Sequence, residues 1–282
     1  MRSGSSTFTI ARLTFREASR RWVLWVALLL GLIFLTVYSL AFRELHRDIV
    51  RNTGNMPLIE RNEIYNFLLM AGLYAVNFLT VMMAVLTSVD TLSGEIASGT
   101  IHTLVSKPLQ RWEIVMGKWL GFAGMLTLYL LLMAGGVMLM VYLISGYSAP
   151  NAWGGLALMA LNAFLVLSIS LAGGSTLSTL ANGVLVFGLY GIAFIGGWIE
   201  QFGSLLNNQT AINIGIVCSL IFPSEALWRR AAHEMQSTLV GAIGFSPFSA
   251  GSIPSDLMIG YAILYTIGAI GLAIRLFHGR DL

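Results

Sequence analysis

Residues Trp119 to Ile199 read WLGFAGMLTLYLLLMAGGVMLMVYLISGYSAPNAWGGLALMALNAFLVLSISLAGGSTLSTLANGVLVFGLYGIAFIGGWI and contain no Asp, Glu, Lys, Arg or His. About 80 residues without a charge cannot belong to the surface of a soluble globule, where roughly a quarter of residues are charged. In a bilayer the same run is natural, because a helix that satisfies its own backbone needs only about 20 apolar residues to cross the hydrocarbon. The stretch holds most of three spans. The fold class that follows is an all-α integral membrane protein.

Working outward, six segments qualify as spans, at approximately 22–42, 64–89, 115–144, 152–180, 183–199 and 257–274. The whole chain agrees: 282 residues, 56% hydrophobic and only 10% charged, with a mean hydropathy of +0.78. Disorder, a disulfide scaffold and a nucleic-acid module are excluded as classes. The lone Cys218 permits no internal disulfide. A seventh apolar piece, 211–222, is short enough to suit a re-entrant or interfacial segment rather than a crossing. No repeat and no linker divides the chain, which reads as a single transmembrane domain over 1–282.

Lys and Arg near the span ends set orientation. With the N-terminus inside, the inner side carries Arg2, Arg12, Arg16, Arg20, Arg21, Lys107, Arg111, Lys118, Arg275 and Arg280, against Arg43, Arg47, Arg51, Arg61, Arg229 and Arg230 outside. Both termini are therefore expected in the cytoplasm of a cell whose inner membrane holds the chain. The run after Arg20 and Arg21 is longer than a signal-peptide core, so it reads as an uncleaved first span.

Before it, Phe8, Ala11, Phe15, Ala18 and Trp22 recur at helical spacing beside a basic stripe of Arg12, Arg16 and Arg20. That pattern is an amphipathic helix lying on the inner surface. On the outer side, 43–63 reads as a polar loop with Gly54, Asn55 and Pro57 as breakers. The longer outer region, 200–256, contains a helix start at Pro223-Ser224-Glu225 and the i,i+4 pairs Glu225/Arg229 and Arg230/Glu234. A short helix there would be a lid, an outer gate or a packed cap.

Between the second and third spans lies a loop, 90–114, denser in polar and turn-forming residues than its neighbours. Ile96, Ile101, Leu104 and Val105 fit a helix, and Ser106-Lys107-Pro108 stops it before the chain re-enters the membrane at Arg111. A short helix across the mouth of two spans can pass a push to both. The pattern Ser93-Gly94-Glu95, Gly99-Thr100, Ser106-Lys107-Pro108, Arg111 and Gly117-Lys118 with Leu120-Gly121 resembles the corresponding loop of six-span permeases of ABC transporters of the type-2 export class. One member of that class serves copper-enzyme maturation in nitrous-oxide reduction clusters. The resemblance implies a coupling helix that sits in a groove of a separate ATPase subunit, with Ser93, Gly94, Glu95, Gly99, Thr100, Lys107, Pro108 and Arg111 as the coupling residues. It also implies a second permease copy or a related permease, surrounding membrane lipid, and ATP with Mg held by the partner rather than by this chain. An amphipathic or lipid-like cargo exported outward fits the uncharged spans.

The residues themselves argue against a motor in this chain. Gly117-Lys118 is followed by Trp119 and no Gly stands at 112, so there is no phosphate loop. Leu92-Ser93-Gly94-Glu95 resembles the start of an ABC signature but sits between membrane helices. An integral membrane enzyme is disfavoured because His46, His102, His233 and His278 are scattered and no Ser/His/Asp neighbourhood is visible. A channel or secondary transporter is disfavoured because the span centres carry no charge. Asn66, Asn77, Thr80, Thr87, Asn162, Ser168 and Ser170 read as interhelical hydrogen-bond partners, and the methionines as packing.

Overall fold

The computed structural model describes residues 3–52, 57–99, 110–236 and 253–279. Every regular element among the described residues is a helix: α1 (Ser3–Arg20), α2 (Trp22–Asn52), α3 (Leu58–Ser88), α4 (Ser93–Ala97), α5 (Arg111–Ser145), α6 (Ala152–Gly174), α7 (Thr179–Leu205), α8 (Gln209–Ile221), α9 (Ser224–Met235) and α10 (Asp256–His278). Six of them, α2, α3, α5, α6, α7 and α10, are long and apolar enough to cross a membrane. The chain is a multi-pass membrane protein.

Local chemistry explains the helix ends. Gln110 and Glu113 form a capping box at the start of α5, and Gly146, at φ +72°, closes its other end by donating its N–H to the Tyr142 carbonyl. Ser178 accepts from the Ala181 N–H at the start of α7, and Asn208 accepts from Thr210 and Ala211 at the start of α8. The polar loop expected over 43–63 is mostly helix. α2 continues to Asn52 and α3 begins at Leu58, because most of the polar residues there are ordinary helix formers and Glu44 pairs with Arg47 one turn on (2.6 Å). At 31 residues each, these two helices are about 46 Å long and outreach a hydrocarbon core of about 30 Å. The seventh apolar piece is α8, joined to α9 through a bend of 105°. A bent pair of this kind is the geometry of a re-entrant loop or of a broken span.

The core runs through α3, α5 and α6, where Leu73, Val76, Val81, Leu126, Val137, Leu165 and Val166 are fully buried. Polar side chains stitch the same helices together, as expected for groups that find no water in a membrane. Asn162 donates to Asn77 (3.1 Å), Ser88 to Ser170 (2.7 Å) and Trp119 to Ser168 (2.9 Å), while Thr80 and Thr87 bond carbonyls of their own helix. α2 leaves most of its apolar surface exposed to its surroundings. α10 closes the bundle against α6 and the start of α5.

The N-terminal helix departs from expectation in the face it buries. Thr7, Ile10, Ala11, Thr14 and Ala18 pack against α5, whereas Phe8 and Phe15 point outward beside the arginines. The cause is a groove of glycines. A Cβ on Gly117 would lie 2.6 Å from the Ile10 side chain, and one on Gly121 would lie 2.7 Å from the Ala11 carbonyl oxygen. Backbone cannot give way, so Gly121→Val should destabilise the α1–α5 contact by about 1–3 kcal/mol. Hydrogen exchange of the α1 amides is the measurement; unchanged protection would sink the idea that this groove seats α1.

Candidate functional site

Two polar assemblies stand out in an otherwise apolar bundle, one at each end of α3. The first forms where α3 ends. Its helix passes through a turn at Val89–Leu92 into α4, and Gly99, at φ +71°, ends that short helix in a conformation that side-chain-bearing residues rarely adopt. Each part of this turn is tied to a different helix. Asp90 accepts from Arg21, which follows α1 and also binds Glu17 (2.7 and 2.8 Å). Ser93 shares a hydrogen bond with Thr179 at the start of α7 (2.9 Å). Glu95 is paired with Lys118 of α5 at 2.5 Å, with side-chain exposures of 19% and 4%. Asn182 of α7 donates to the Val89 and Ser170 carbonyls (3.0 and 2.9 Å).

Of the residues singled out from sequence, the structure gathers Ser93, Gly94, Glu95 and Gly99 at this turn. Ser93 is buried, a Cβ on Gly94 would make only ordinary contact with Asp90, and the end of α4 presents Ala97 and Ser98 to the outside. The Glu95 carboxylate turns inward to Lys118. Lys118, counted from sequence as an inner-surface charge, is a buried partner instead, because α5 begins at Arg111 and its eighth residue is already inside the bundle. Arg111 lies apart from the turn and donates to the His278 and Phe277 carbonyls at the end of α10 (2.8 and 3.3 Å), where a cation suits the helix C-terminus. Thr100, Lys107 and Pro108 lie outside the described residues.

The second assembly is the seat of α9. Arg229 and Glu200 form an ion pair at 2.6 Å in which both side chains are about 5% exposed (6% and 5%). Arg229 also donates to Ser219 of α8 (3.2 Å). Beside this pair the Glu225 carboxyl meets the hydroxyl of Tyr74 from the middle of α3, and Tyr74 in turn accepts from the Trp198 indole (3.3 Å). Trp228 packs on Tyr74, with ring centroids 5.1 Å apart. At the far end of α9, Asn66 donates to the Met235 carbonyl (3.0 Å) and to Tyr147 (2.7 Å). Glycines receive the helix closely: a Cβ on Gly197 would meet Glu225 at 2.2 Å and one on Gly155 would meet Met235 at 2.4 Å.

Sequence reasoning missed this cluster. It ended the fifth span at Ile199, one residue before Glu200, and took Glu225 and Arg229 as a surface pair. The Arg230–Glu234 pair is present (3.0 Å), but Arg229 reaches across to α7. The available signal was two arginines beside Trp228 in a chain that places charge sparingly.

Against known proteins, residues 8–282 match the family model described as ABC-2 family transporter protein. None of the curated proteins compared with the chain matches it.

Proposed function

The chain belongs to the ABC-2 transporter family, and from that premise we propose that this permease exports an amphipathic or lipid-like cargo, driven by a separate ATPase subunit that docks at the α3–α4 turn. The observation that carries the reading is the way this turn is fastened. One short helix with an outward-facing tip, Ala97 to Gly99, is tied to α1, α5 and α7 and is continuous with α3. A load applied at the tip therefore reaches four helices at once. The apolar core of α3 and α5 is made by other residues, among them Leu73, Val76, Leu126 and Val137.

The end bearing this turn is the cytoplasmic one on this reading, in agreement with the excess of Lys and Arg there. The motor supplies ATP and Mg; this chain supplies the pathway and, with a second permease copy or a related permease, its other wall. The cargo class is supported by the scarcity of charge in the spans, where the charged side chains Lys118 and Glu200 are each held in an ion pair. Gly99→Val strains a left-handed position and Glu95→Gln discharges the inner tie, so both should reduce co-purification of a phosphate-loop ATPase from the native membrane by several-fold. Membrane insertion should be intact. Wild-type capture and stimulated ATPase activity in both variants would remove the coupling assignment.

A further inference from the structure

The seat of α9 contains more acid than base. Two carboxyl groups, Glu200 and Glu225, face one guanidinium, Arg229, and all three side chains are buried. The other titratable groups facing Glu225 are Tyr74 from α3 and Tyr190 from α7, which are neutral. The span α6 contains no charged residue, α8 brings Ser219, which accepts from Arg229, and α10 brings Asp256, which Arg230 engages on the other face of α9 (2.7 Å). Ionised throughout, the seat would hold a net negative charge away from water, which is costly. A proton on one carboxyl removes it.

We propose that the seat of α9 is a proton-binding site, in which Glu225 holds a proton while α9 is packed down and releases it to water when α9 lifts. The acid–base step is complete in itself: the Glu225 carboxylic acid gives its proton to a water molecule, and the carboxylate left behind is hydrated. Geometry supplies the selectivity. Gly197 receives the Glu225 stem so closely that a Cβ there would lie 2.2 Å from it, and the lifting proposed for α9 would turn about the 105° bend that joins it to α8. Burial, with the charge of Glu200, pushes the Glu225 carboxyl up to about 7 although Arg229 and Tyr74 pull it down. In water it returns to about 4.5.

The seated state therefore binds more protons than the lifted one. Its advantage is fully present below about pH 4.5, fades as pH rises to about 7, and does not change above that. Because Asn66 and Tyr74 hold both ends of α9 to α3, the helix that carries the coupling turn is also the one that loads the seat. This last step rests on the permease reading; the proton site itself does not.

The test uses the full chain in lipid nanodiscs with Cys218→Ser and with Ala226→Cys, a position on α9 that is fully buried. Labelling by a membrane-impermeant maleimide is timed at pH 6 and pH 8, and each rate is divided by that of the same protein carrying Glu225→Gln. The ratio should rise roughly tenfold over this interval, since opening releases close to one proton over its lower half, up to about pH 7. A flat ratio overturns the proposal. Should Glu225→Gln fail to elute as a monodisperse peak, the rate of a free small thiol at each pH replaces it as divisor. Tyr74→Phe, which removes the donor to the carboxylate, should move the midpoint to higher pH; an unmoved midpoint counts against Glu225 as the site. ATPase capture is scored on the same preparations. A flat ratio with capture intact removes the proton site alone, and a tenfold rise with capture lost upholds it while removing the permease reading.

Discussion

Arg229→Met should destabilise the bundle by about 3–5 kcal/mol, the usual penalty for removing one partner of a buried ion pair. It would strand Glu200 with no cation beside the protonated Glu225, and Glu200 would have to take a proton or drag α9 toward water. The informative companion is the double variant Arg229→Met with Glu200→Gln. Removing both charges leaves nothing uncompensated, so most of the lost stability should return. Thermal melting of the purified protein in mild detergent reads both. A double variant as unstable as the single one would mean that Arg229 acts through packing against α8 rather than through charge.

Lys118→Met is the counterpart at the other end of α3, with an expected loss of about 3 kcal/mol concentrated in α4. Methionine fills the space of the lysine stem but leaves Glu95 mostly buried without its cation, and Glu95 is four-fifths covered. The turn should come loose from α5 while the apolar core of α3, α5 and α6 is unaffected. Hydrogen exchange should therefore accelerate in α4 and in the start of α5 and nowhere else. Uniform acceleration along α3 would show that the pair supports the whole bundle instead of the turn. ATPase stimulation should fall with the local protection, and Lys118→Met combined with Glu95→Gln should restore protection but not the original stimulation.

How much of this was legible in the sequence depends on which interaction each residue obeys. The spans were, because the need to satisfy every backbone group inside a helix writes itself as runs of about 20 apolar residues. The polar residues between helices were also legible, since Asn77, Asn162 and Ser170 have few other uses in an apolar environment. The face of α1 was not. Phe8 and Phe15 outweigh Ala11 and Ala18 on any hydrophobic scale, yet the smaller residues are the ones that fit a glycine groove on a distant helix. The same limit hid both ion pairs. Glu95 and Lys118 are 23 positions apart and Glu200 and Arg229 lie on different helices, whereas local spacing suggested the surface pair Glu225/Arg229. In the segment after α3, the pairing of the Glu95 carboxylate with Lys118 of α5 could not be read from local spacing.

The bond from Arg111 to the last carbonyls of α10 has a bearing on how the protein is made. Ser175, at the end of α6, likewise donates to the Ala273 carbonyl (3.3 Å), and α10 packs along α6. The third and fourth spans thus wait for the sixth. In chain order α10 comes after α5 and α6, so those two helices can enter the membrane before the helix that covers them does, and the order of synthesis is not the order of closure.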